Sequence, residues 1–240
     1  MSLGLTPLSF RPYAEPVHSP PLVRGSVVTR WASLLVGLFL FALGIVLLLE
    51  SELGLSPWDV LNQGVSEHTG LSFGTANIMI ALVVLVLAWA LGARIGPGTV
   101  ANAILIGLMV DGLLAIDALD ALSESPLTVR IIFMVGGVLT IGIGSGFYIG
   151  AGMGAGPRDS LMLVSARRSG VRIGITRAAI EVAATVVGFA LGGTVGIGTL
   201  AFAFGIGPAI ELSFWLLERS PLADAAPNAS QLHPPETGSV

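Results

Sequence analysis

The side chains in this sequence that could do chemistry are ionisable groups set in apolar surroundings: Asp59, Asp159, Arg158, Asp111, Glu211, and the pair Arg177 and Glu181. A charge inside a bilayer is costly, so each such group is a functional candidate by default. Asp59 and Asp159 close two related tetrapeptides, Ser56-Pro57-Trp58-Asp59 and Gly156-Pro157-Arg158-Asp159. Each follows a long apolar stretch. In both, Ser or Gly stands at an N-cap, Pro takes the first helical position where its missing N–H does no harm, and Asp complements the positive helix end. The tetrapeptides therefore start short helices after a break. Ser56, Pro57, Trp58, Asp59, Pro157, Arg158 and Asp159 then either cap interfacial helices or line and gate a substrate site.

Asp111 and Glu211 read as a proton or cation relay, or more plainly as carboxylates near helix ends that reach water. Arg177 and Glu181, four residues apart on one helix face, are better read as a structural ion pair. Asn77 and Asn102 read as interhelical hydrogen-bond partners rather than ligands.

These residues are positioned by a repeat. An offset of 100 pairs Arg30 with Arg130, Gly37 with Gly137, Gly44 with Gly144, Gly54 with Gly154, Gly74 with Gly174 and Gly107 with Gly207, without a gap. Composition alone would match a Gly-, Ala- and Leu-rich chain to itself at roughly a tenth of positions. A duplicated unit is the stronger explanation.

Of 240 residues, 53% are hydrophobic and 11% charged, against about 25% charged in soluble domains. The chain is expected to sit in a lipid bilayer. Apolar stretches at 31–49, 73–91, 99–116, 131–149, 173–191 and 195–217 give six spans. Between them, a helix of about 12 residues begun by Pro57 and another over 157–169 are too short to cross. The first is amphipathic, with Trp58, Leu61 and Val65 opposite Asp59, Gln63 and Ser66. It lies in the interface with Trp58 at headgroup level, or dips inward as a half-helix.

The expected fold is thus an all-α membrane protein of two three-helix repeats, 30–116 and 130–218, joined by an extracytoplasmic loop over 117–129. A Pro-rich arm over 1–29 and a tail over 219–240 read as disordered and cytoplasmic. Arg94 and the arginines between 150 and 177 fall inside, the acidic segments 50–72 and 117–124 outside. Only Arg130 is misplaced, at a helix end from which it can snorkel. With three spans per unit the second repeat is inverted relative to the first.

There is no Cys, and His stands only at 18, 68 and 233. No HExxH, nucleophile elbow or phosphate loop accompanies them, so no metal, cofactor or catalytic residue is expected and the chain does not read as an enzyme. A net charge of -4 gives no reason to expect nucleic-acid binding. Inverted repeats with interrupted helices point to a small-solute transporter whose site lies between the repeats. The competing class is a membrane scaffold or accessory protein for a biosynthetic or regulatory partner. The small-residue faces would also permit a homodimer.

The segments Gly54-Leu-Ser-Pro-Trp-Asp-Val-Leu61, Gly70-Leu-Ser-Phe-Gly74 and Gly154-Ala-Gly-Pro-Arg-Asp-Ser-Leu161 resemble the YitT/YczE group of bacterial integral membrane proteins, over about residues 30–218. The resemblance implies a multi-pass protein of the bacterial plasma membrane, with transport suspected. YczE-type members are associated with MocR-kind regulators that read pyridoxal phosphate, which implies a vitamin B6-related or amine cargo. It supplies no catalytic residues to map.

Overall fold

The computed structural model describes residues 21–116 and 124–222. The arm over 1–20, the loop over 117–123 and the tail from 223 lie outside the described residues. Among the described residues the chain is all helical, with eight helices and no strand. They are α1 (Val27–Ser51), α2 (Pro57–Thr69), α3 (Phe73–Ala90), α4 (Pro97–Leu114), α5 (Leu127–Gly150), α6 (Pro157–Ser169), α7 (Ile173–Ala190) and α8 (Ile197–Arg219). All except α2 and α6 are long and apolar enough to cross a membrane. The chain is a multi-pass helical membrane protein.

Helix α1 begins at Val27, inside the stretch expected to belong to the arm, because Ser26 caps it by accepting from the Thr29 N–H. Residues before it are also held: the Val23 N–H donates to the Gly150 carbonyl at 2.8 Å and the Arg24 N–H to the Leu222 carbonyl at 2.7 Å. Helices α2 and α6 start at the two prolines, as the tetrapeptides require, and end at Gly70 and Gly170 with φ of 73° and 69°. That left-handed geometry suits glycine and stops both helices after 13 residues.

The centre is an antiparallel crossing of α1 and α5. A Cβ at Gly37 would lie 2.7 Å from the Gly144 carbonyl oxygen, and one at Gly44 2.7 Å from that of Gly137. Small residues at these four places let the backbones meet. Around the crossing pack Leu34, Leu38, Ile45, Leu48, Val138 and Ile141. Helix α4 lies against α1 and α8 against α5, while α2 packs on α7 and α6 on α3.

Polar contacts recur at positions one hundred residues apart. Arg30 Nε donates to the Ala151 carbonyl and Arg130 Nε to the Ser51 carbonyl, both at 2.7 Å. The Gly98 N–H donates to the Met153 carbonyl at 2.9 Å and the Gly198 N–H to the Leu53 carbonyl at 2.7 Å. Each arginine thus satisfies a carbonyl at the C-terminal end of the opposite central helix. Arg130 is therefore more than a snorkelling charge: it bonds Ser51 and also pairs with Glu52 at 3.1 Å.

Candidate functional site

The short helices bring their first turns together. Ser56 Oγ accepts from the Asp59 N–H at 3.3 Å and donates to the Asp59 carboxylate, and Asn62 Nδ2 donates to Asp59 Oδ1 at 3.1 Å. Across from them, Arg158 of α6 places Nη2 3.9 Å from Asp59 Oδ1 and its guanidinium carbon 5.2 Å from the centre of the Trp58 ring. Asp159 accepts from the Tyr148 hydroxyl at 2.7 Å. Capping and pairing are not alternatives here: Asp59 closes its own helix end and faces the opposite helix with the same carboxylate.

Asp59 is 1% exposed and Trp58 7%. The sequence set Trp58 and Asp59 on opposite faces of α2 and left Trp58 either at headgroup level or deeper; in the structure protein covers both. Trp58 and Leu61 pack with Ile80 and Val84 of α3, Leu161 of α6, and Ile180 and Ala184 of α7. The partners in α3 and α7 lie in the middle turns of their spans. The helix start is covered because α2 packs along α7: a Cβ at Gly64 would strike the Gly188 carbonyl, and Gln63 Oε1 accepts from the Thr194 N–H at 2.7 Å.

The converging ends open on a cavity of about 260 Å³. Ser56, Trp58, Asp59, Arg158 and Asp159 line it, with Asn102 of α4 and the ion pair Arg177–Glu181 of α7, whose Nε and Oε1 lie 2.9 Å apart. Phe41, Phe202 and Phe214 supply apolar wall. A charged and aromatic lining around a small volume can hold a solute of a few heavy atoms and orient it by charge. Pro57 and Pro157 are buried at the two helix starts and set the backbone rather than the lining. A more open hollow of about 410 Å³ lies beside Arg30 and Arg94. It is the weaker candidate, since the Arg30 guanidinium is already bound to the Ala151 and Gly152 carbonyls.

The remaining candidates separate. Asp111 binds the start of α3, accepting from the Ser72 hydroxyl at 2.6 Å and the Gly74 N–H at 2.7 Å. Its counterpart Glu211 is exposed. Asn77 is buried, and its Nδ2 has no partner among the described residues. So the interhelical hydrogen bond expected of that amide is not made there. Tyr148 and Ser145 line the cavity yet were not singled out by sequence. A phenol inside a span, eleven residues before Asp159, was the available signal for Tyr148; Ser145 offered none among so many small residues. Among the described residues no cluster of His, Cys, Asp or Glu could hold a metal.

Residues 28–214 match the model of a family of unknown function, DUF6198. An uncharacterized protein of Haemophilus influenzae is 35% identical over 78% of this chain and 86% of its own length. The uncharacterized membrane protein YczE of Bacillus subtilis is 34% identical over 80% of this chain and 88% of its own. The uncharacterized protein YyaS of the same organism is 32% identical over 69% and 82%. No solved structure matches. A family model that spans nearly all the described helices, with relatives aligned along most of their length, places this chain in the DUF6198 family of YczE-like membrane proteins.

Proposed function

We propose that the protein is a small-solute transporter, built of two inverted repeats, with its substrate site at the meeting point of α2 and α6. The observation that carries this reading is the convergence of Asp59, Arg158 and Asp159 on one cavity deep in the bundle. Interrupted helices with their ends at a central polar cavity are the architecture by which a transporter holds a charged solute away from lipid. A packed scaffold has no use for such a cavity.

Inversion is supported by the paired contacts. Exchanging each residue for its counterpart turns the Arg30–Ala151 bond into the Arg130–Ser51 bond, and the Gly37–Gly144 contact into the Gly44–Gly137 contact. That is the behaviour of a two-fold axis between antiparallel halves. A half-helix reading of α2 and α6 is supported by the packing of Trp58 and Leu61 on mid-span residues of α3 and α7. With the arginines of α6 and its flanks on the cytoplasmic side, both termini are cytoplasmic in a plasma membrane.

Three carboxylates, Asp59, Asp159 and Glu181, line the cavity against two guanidiniums, Arg158 and Arg177. The excess of negative charge favours a cargo with an amino or other cationic group, such as a small amine or a B6 vitamer. The test is a thermal-shift screen of the purified protein against small amines and pyridoxal, pyridoxamine and pyridoxine, followed by uptake of any hit into proteoliposomes. The expected result is a stabilising hit whose shift and uptake are both lost in Asp59→Asn and Asp159→Asn. Uptake that survives both substitutions, or a screen without a hit from a protein that purifies with a stoichiometric partner, favours a scaffold instead.

A further inference from the structure

The two halves differ at one seam. At the start of α3, a Cβ on Gly74 would collide with the Gly107 carbonyl and the Asp111 carboxylate, and one on Gly107 with the Gly74 carbonyl. Helices α3 and α4 are thus in backbone contact, latched by Asp111 on Ser72 and Gly74. The counterparts one repeat later are Gly174, Gly207, Glu211 and Arg172. At Gly174 and Gly207 a Cβ would meet nothing within 4 Å, and α7 and α8 barely touch. Glu211 and Arg172 are both exposed and make no ion pair with each other.

The cavity lies on the side of the parted helices. Arg177 and Glu181 of α7 and Phe202, Ile206 and Ile210 of α8 line it. On the closed side the counterparts of those five residues are Asn77, Ala81, Asn102, Ile106 and Val110, of which Asn102 alone lines the cavity. One seam is shut and its counterpart open, which is what a two-gate device looks like in one of its two states.

We propose that α7 and α8 form a second gate, which closes when Gly174 meets Gly207 and Glu211 takes the Gly174 N–H and the Arg172 side chain, as Asp111 takes Gly74 and Ser72. The proposal deepens the transporter reading by naming the moving elements. Small residues permit the approach: Gly174 and Gly207 leave room for backbone contact as Gly74 and Gly107 do. Helix α8 also has the means to move. Pro208, inside α8, lies next to Gly207, and α4 has Leu108 at the corresponding position. A proline inside a helix removes a backbone hydrogen bond and is the commonest site of a kink. The latch itself would be stronger than its counterpart, because a carboxylate faces a guanidinium rather than a hydroxyl.

The chain has no cysteine, so spin labels at Ile173→Cys and Leu212→Cys report alone; both positions are exposed, and the latch residues stay intact. Pulsed electron paramagnetic resonance in lipid nanodiscs is expected to show two label separations, the shorter one lost in Glu211→Gln. A single separation that Glu211→Gln leaves unchanged overturns the gate, and two separations indifferent to Glu211→Gln overturn its latch. If the labelled protein does not fold, cross-linking of Val171→Cys with Leu212→Cys by a short bis-maleimide, both exposed and both leaving Arg172 and Glu211 in place, decides: product supports closure, a background yield overturns it. Neither measurement needs a cargo. Closure without uptake of any solute would therefore sink the transporter reading alone, and uptake without closure would sink the gate alone.

Discussion

Arg158 reaches from one short helix to the other and sets its guanidinium 3.9 Å from the Asp59 carboxylate while lying over the Trp58 ring. The Asp59 side chain is 2% exposed and that of Arg158 21%, so both line the cavity but the carboxylate is the more deeply buried partner. Removing either leaves a charge in surroundings that cannot solvate it.

The cost of that loss should be separable by a double-mutant cycle. Breaking a buried pair from one side costs about 3–5 kcal/mol. Arg158→Met should fall near the low end, because Ser56 and Asn62 continue to bind the Asp59 carboxylate. Asp59→Asn combined with Arg158→Met should be more stable than Arg158→Met alone. Unfolding in mixed SDS and detergent micelles measures this, and a double variant that is the less stable of the two contradicts the pairing.

The two glycine seams should respond differently to one methyl group. Gly74→Ala and Gly107→Ala drive a Cβ into opposing backbone, and overpacking of this kind costs about 1–3 kcal/mol. Gly174→Ala and Gly207→Ala meet open space and should be neutral, or stabilising by up to about 1 kcal/mol through helix propensity. Equal losses at both seams, by the same unfolding assay, would mean that the second seam is closed in the resting protein.

Glu52 is the only non-glycine residue with positive φ among the described residues, at 49°, and the corresponding position in the second half is Gly152 at 61°. A side chain in that region costs roughly 1–2 kcal/mol. Glu52 offsets part of this through its pair with Arg130, yet the Glu52 side chain is 59% exposed and such pairs contribute about 0–1 kcal/mol. Glu52→Gly is therefore expected to leave stability unchanged or raise it by up to about 1 kcal/mol, since Arg130 keeps its bond to the Ser51 carbonyl. A thermal melt that falls clearly would show that the ion pair outweighs the strained backbone.

Much of this protein is local, and the sequence alone determined that part. Hydropathy placed all six long helices because covering a bilayer demands uninterrupted apolar length. Pro57 and Pro157 placed the starts of the short helices to the residue, because a ring at the first helical position leaves the backbone little choice. The ion pair Arg177–Glu181 followed from helix geometry, and the offset of 100 anticipated which residues would make matching contacts.

Only the tertiary structure decided what those contacts were. The burial of the α2 start depends on α3, α6 and α7 packing around it, which no periodicity within α2 can express. The pairing of Asp59 with Arg158 joins residues from different halves of the chain. The difference between Asp111, bound to Ser72 and Gly74, and Glu211, exposed, is invisible in sequence because the two occupy equivalent positions. It arises because closing one seam and parting the other is a choice between packings of the same helices, made by the whole bundle rather than by any segment of it.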